Sequence, residues 1–154
     1  MADVRTMSLD EIAARIDVLA AEPDDLLRAH AAERSDELLR LGEGILQTWL
    51  IARGETPTQR TVEGFRLLAL HRQGARGEPS FNACRETCRE LVYHHNLVRL
   101  DPTHLDAARR LRLAAMVARH LALFIGGKLE VAGLGEFCCS ARPLRQSAVP
   151  AETI

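Results

Sequence analysis

The sequence predicts an all-α protein: a compact bundle of about five helices over residues 1–140, with a small C-terminal β-hairpin and a flexible tail at 141–154. Three observations carry that expectation. The 154-residue chain is rich in Ala, Leu, Glu and Arg, the residues that cost least in a helix. It has one Tyr and one Trp, with aromatics at 4%, so strands have little to be built from. Its apolar residues recur three and four apart between recognisable start and stop signals.

Helix one starts at Ser8, because "SLDE" pairs a cap serine with Glu11 three residues on, and Ile12, Ile16 and Leu19 then share a face. Helix two begins at Pro23, a favoured first-turn residue, with Asp24 and Asp25 suiting the positive helix end. It is expected to run to Arg53, with Gly54 as its stop. Its buried side reads Leu27, Ala31, Leu38, Leu41, Ile45 and Trp49, with Arg34 interrupting. Gly42 and Gly44 each cost roughly 1 kcal/mol against Ala, so they mark a bend or a close helix crossing. Its length makes helix two the expected contact element for a partner.

Helix three opens on "TPTQ", where Thr56 and Gln59 form a second capping box, and ends at "RQGARGEPS". Helix four runs from Ser80 to about Arg99. "DPTH" restarts the chain with Asp101 as cap, and helix five extends to a stop at Gly126–Gly127. "KLEVAGLGEFCC" then supplies the hairpin around Leu134–Gly135.

The net charge of −1 demands neither a polyanion nor a membrane surface. Its distribution is uneven. Residues 1–52 carry eleven acidic and five basic side chains; residues 99–145 carry eight basic against four acidic. The simplest consequence is an acidic first third packed beside a basic remainder; the alternative is a polarised surface offered to a partner. The opening "MADVRTMSLDEIAARIDVL" has acids where a signal segment needs an apolar run. The most apolar stretch, "LRLAAMVARHLALFIGG", is broken by Arg112, Arg119 and His120 and is short for a bilayer span. A soluble cytoplasmic protein with no membrane partner and reduced cysteines is therefore expected.

One stretch raises a chemical question: "SFNACRETCRELVYHHNLV", residues 80–98. Phe81, Cys84, Cys88, Leu91, His95 and Val98 are spaced 3, 4, 3, 4, 3, an unbroken inward seam, so packing already accounts for both cysteines as small hydrophobes. A disulfide between them is excluded without unwinding, since Cβ atoms four apart on a helix lie ~5–6 Å apart and the bond needs about 3.8 Å. A thiol in such a stripe is expected to be inert, its pKa raised by burial. Two ligands four apart can nonetheless clamp a transition metal such as zinc or iron. The other ligands would come from Cys138 or Cys139, with His94, His95 and His120 as further candidates. His95 stands ~10 Å along the axis from Cys88 and cannot complete that pair's site. On this reading His95 is buried against a neighbour, and His94 is exposed and paired with Glu90. His120 points inward, near His95 and a carboxylate such as Glu33 or Glu37.

No Gly-rich phosphate loop, G-x-S-x-G or H-E-x-x-H is present, so no catalytic residue is assigned. Nucleic acid is disfavoured as a partner, because Asn82, Arg85, Glu86, Arg89 and Glu90 mix signs on the outward face of helix four, although Arg60, Arg66, Arg72 and Arg76 lie close in sequence. The expected function is binding, to a partner protein or to a second copy in a homo-oligomer. The alternative is a metal- or thiol-binding bundle on Cys84 and Cys88.

Overall fold

The computed structural model describes residues 7–134, and within them the chain is all-α. Six helices follow in order: α1 (Leu9–Ala21), α2 (Asp24–Ala29), α3 (Ala31–Ala52), α4 (Arg66–Gly74), α5 (Phe81–Leu100) and α6 (Ala107–Ala132). α3 lies at the centre, packed against α1, α4, α5 and α6, while α6 also packs against α1, α2 and α5. One apolar core joins all six, with Ile12, Leu27, Leu41, Leu67, Leu91 and Leu121 each contributing from a different helix.

α1 begins as its sequence dictates. Ser8 Oγ accepts from Glu11 N at 3.1 Å, Glu11 returns the bond to Ser8 N at 2.9 Å, and Ile12, Ile16 and Leu19 are buried. The expected long second helix is instead divided at His30, which ends α2 and starts α3 with φ −126° and ψ 33°. The break lets α3 turn so that Arg34 grips Glu22 at the end of α1 with two bonds, 2.7 and 3.1 Å. The residue that interrupted the apolar pattern is thus a tether. α3 is a core helix: twelve of its 22 residues are buried. Its Glu37, 2% exposed, is held by Arg15 of α1 through bonds of 2.6 and 3.0 Å.

Gly42 answers to a close crossing. A Cβ there would lie 2.7 Å from Leu91 Cδ2 and 3.3 Å from Leu67 Cδ1. Gly74 plays the same part for Phe81, whose ring would stand 2.9 Å from an added Cβ.

The "TPTQ" capping box does not form, and α4 starts ten residues after Thr56, at Arg66. Side chains of α4 take the backbone of that segment instead. Gln73 accepts from Thr58 N and donates to Thr56 O, both at 2.9 Å, while Arg66 donates to Thr58 O at 2.8 Å. These bonds satisfy polar backbone groups that a helix would have paired internally. A tight turn follows, closed by reciprocal bonds between Val62 and Phe65, with Glu63 (φ 54°) and Gly64 (φ 84°) in left-handed conformation.

α5 matches its predicted span within a residue. Asp101 does not cap the next helix; its carboxylate accepts from Thr103 Oγ1 at 3.0 Å, and α6 waits until Ala107. α6 also passes through Gly126–Gly127 and stops at Gly133 (φ 71°), where Leu134 N bonds to Leu129 O at 2.8 Å. Burial of Ile125 and Leu129 outweighs the glycines' helix cost. Residues 128–132, expected in the first strand of a hairpin, are therefore helical; the rest of that hairpin and the tail lie outside the described residues. Lys128, the chain's one lysine, bonds Glu78 Oε1 at 3.0 Å and Ser80 Oγ at 2.8 Å, tying α6 to the start of α5.

The uneven charge is largely consumed internally. Asp17, Asp24, Asp36 and Glu43 of the acidic third pair with Arg119, Arg112, Arg99 and Arg66 of the remainder. Among the described residues no helix is long and apolar enough to cross a membrane.

Two stability outcomes follow. Gly42→Val drives two branches into Leu91 and Leu67, and urea denaturation should show a loss of about 1–3 kcal/mol. Arg15→Ala strands a buried carboxylate and should cost about 2–3 kcal/mol; adding Glu37→Met should recover much of that loss, since an apolar replacement removes the unpaired charge.

A candidate thiol site beside a basic cleft, and an exposed helix face

The seam of α5 places Phe81, Cys84, Cys88, Leu91 and Val98 inward as its spacing requires. Both cysteines are free thiols, Cys84 at 2% exposure and Cys88 at 0%. They stand in the first two turns of α5, a helix with no acidic residue in its first turn, so the positive helix end acts on Cys84 unopposed.

The decisive neighbour is one the sequence reading did not single out. His71, on α4, contacts Cys84 and is 8% exposed. Its Nε2 lies 2.8 Å from the carbonyl oxygen of Phe81. A carbonyl can only accept, so Nε2 carries a hydrogen and donates it, which fixes the tautomer of the neutral ring with its lone pair on Nδ1. Burial works against the charged ring, but the bonds to Cys84 and Phe81 prevail and its pKa is raised.

Cys84 is the thiol that gains. The neighbouring Cys88 thiol and His71 together outweigh burial and bring it down to about 6. Cys88 is pushed the other way, well above an ordinary thiol, by the neighbouring Cys84 and by burial. The raised pKa expected of a buried thiol holds for Cys88, whereas for Cys84 the direction is reversed. The signal was present in "LLALHRQG": His71 follows Leu67 and Leu68 at helical spacing, on the buried side of its own helix.

The remaining histidines are placed differently from their expected roles. His94, expected outside, is the buried one of its pair, 4.0 Å from Glu90, and desolvation lowers its pKa. His95 does meet a neighbour, donating toward Asp36 of α3 at 3.0 Å, but sits at the edge of the seam. His94 lies three residues after Leu91 and four before Val98, and shares the buried side of the last turns with them. His120 is exposed and does not approach His95; the inward face of α6 is Leu111, Ala114, Ala118, Leu121 and Ile125. Glu33 pairs with His30 and Glu37 with Arg15. Among the described residues no three His, Cys, Asp or Glu side chains are grouped to hold a metal ion. Cys138 and Cys139 lie outside the described residues.

Next to His71 a cleft of about 310 Å³ opens between α4 and α5. Val62, Leu68 and Ala75 give it apolar walls, and His71, Arg72, Asn82, Arg85 and Arg89 give it polar ones. The arginines of residues 60–89 therefore do not form one outward stripe: Arg66 turns inward to Glu43 and Gln47, and Arg89 bonds Glu63 at 2.9 Å.

α6 shows an exposed apolar face. Met116 and Leu123 are each 61% exposed and Val131 78%, with exposed His120 and Gly127 between them. The spacing 4, 3, 4, 4 keeps all five on one stripe ~22 Å long. No protein family, curated protein sequence or solved structure matches this chain.

The thiol arrangement has a spectroscopic consequence. Thiolate absorbance at 240 nm should show a group titrating near pH 6 that disappears in Cys84→Ser and moves upward in His71→Asn. Because the pKa of Cys84 is lowered, the thiolate exists above that midpoint and is lost as the pH falls through it. A wild-type profile with no step below pH 8 would refute the assignment.

Proposed function

We propose that this protein is a helical binding module that pairs with a second copy of itself through the outward stripe of α6. The observation that carries this is the stripe's self-complementary spacing. If two copies cross antiparallel about a two-fold axis between Leu123 and Phe124, Met116 of one faces Val131 of the other, and His120 faces Gly127, where the missing side chain leaves room for an imidazole. A closed two-fold contact of this kind needs one patch complementary to itself.

Charge supports the same occupant. Along the stripe from Met116 to Val131 the flanking cations are paired within the chain, Arg112 with Asp24, Arg119 with Asp17 and Lys128 with Glu78, while Arg109 and Arg110 lie before the stripe, Arg109 paired with Asp106. Two such faces can meet without bringing uncompensated like charges together. Contact falls to α6 and not to the long helix of residues 31–52, which is spent in the core.

A second reading rests on the Cys84–His71 contact: a thiol centre whose reactive sulfur is kept ionised near neutral pH, suited to a reducing compartment such as the cytoplasm. It is favoured over a zinc or iron site on Cys84 and Cys88, which would need its remaining ligands from Cys138 or Cys139.

Light scattering coupled to gel filtration should give a dimer mass at micromolar to millimolar concentration. Leu123→Glu should give a monomer with unchanged helicity and a melting temperature near that of the monomeric wild type, because the residue contributes little to its own core. A wild type that stays monomeric at millimolar concentration would overturn the proposal.

A further inference from the structure

The cleft between α4 and α5 has features that neither self-association nor the thiol pair uses. Three guanidinium groups and an imidazole edge it, whereas the carboxylate set against them is Glu63. Glu63 is committed to Arg89, with contacts of 2.9 and 3.4 Å. Its position is imposed by the backbone, since it occupies the left-handed turn that ends at Phe65. Arg72 and Arg85 make no hydrogen bond or ion pair with a described residue, because Glu63 is taken by Arg89. The two unclaimed guanidinium groups stand on different helices and border one concavity, with the Asn82 amide beside them.

We propose that this cleft binds a small organic anion, its carboxylate or phosphate held by Arg72 and Arg85 and its apolar stem lying on Val62, Leu68 and Ala75. Guanidinium groups present forked donors that match either oxyanion, and Asn82 adds a neutral donor. The apolar walls reward a ligand with a hydrocarbon body over a bare inorganic ion. The volume of about 310 Å³ suits a ligand of small-metabolite size. Glu63 limits the charge the site accepts: by neutralising Arg89 it leaves two cations for one anionic head, and it repels a ligand carrying a second negative charge on the Val62 side.

The site also reaches the thiol. His71 borders the cleft and contacts Cys84, so an anion seated beside the ring favours its protonated form, and with it the Cys84 thiolate. Ligand and thiol are then linked through one imidazole.

The test is calorimetric titration of the full chain at low ionic strength with four probes: hexanoate, hexyl phosphate, acetate and inorganic phosphate. Hexanoate or hexyl phosphate should bind saturably and at least about tenfold tighter than its stemless counterpart; which of the two wins assigns the head group. The double variant Arg72→Gln/Arg85→Gln should weaken that binding about tenfold or more, with an unchanged melting temperature because both residues are exposed. Arg76→Gln, an exposed arginine outside the cleft, should bind as the wild type does. The tighter probe should also shift the Cys84 absorbance step to lower pH in the wild type and not in the double variant. Absence of saturable binding by both six-carbon probes, or equal affinity in the double variant, would overturn the proposal.

Discussion

α3 and α5 approach as closely as they do because residue 42 has no Cβ, and much of the molecule follows from that crossing. Leu91 seats against Gly42, which fixes the rotation of α5 about its own axis. With Leu91 inward, the residues one and two turns earlier must also be inward, and they are Cys88 and Cys84. Phe81 then closes the same side, its ring against Gly74 and 5.6 Å from that of Trp49. The Phe81 carbonyl meets His71 at the end of this chain of consequences. A helix rotated by one residue would bury different side chains and leave His71 without the thiol and the carbonyl that define its state. Packing thus decides the chemistry here.

Electrostatics does the complementary work at the periphery. The acidic front of the chain and the basic remainder meet across α1–α6, α2–α6, α3–α4 and α3–α5 contacts, so the pairs define which helices neighbour one another more than they add to stability. Exposed pairs of this type contribute about 0–1 kcal/mol each. Their larger effect is on what is left over. Once Arg112, Arg119 and Lys128 have partners, the outside of α6 reads as apolar; once Arg89 has Glu63, the cleft retains Arg72 and Arg85. The two surfaces put forward as functional are the remainders of an internal charge balance.

The sequence made the helical class and the inward face of α5 legible because both rest on periodicity, which survives in one dimension. Ser8 and Glu11 were equally readable, since a capping box is local. The failures share a cause. Thr56 and Gln59 have the right types for a cap, yet Gln73 and Arg66, further along the chain, compete for the same backbone. Gly126 and Gly127 looked like a stop because their intrinsic cost is visible and the burial of Leu129 beyond them is not. The break at His30 carries no Gly or Pro, and its reason lies twelve residues apart, in Arg34 and Glu22. His71 was missed for the same reason: its helix showed that it was buried, but only the α4–α5 contact shows what it is buried against.

Having a single lysine gives this fold an unusual chemical simplicity. Reagents or enzymes that acylate side-chain amines have one target in the chain, Lys128, and that amine is the one joining the end of α6 to Glu78 and Ser80 and standing 5.6 Å from the Trp49 ring centroid. Neutralising it would remove the ion pair and the cation over the indole together. A label on that side-chain amine therefore cannot act as a silent tag: it reports on, and loosens, the joint at which α5 begins.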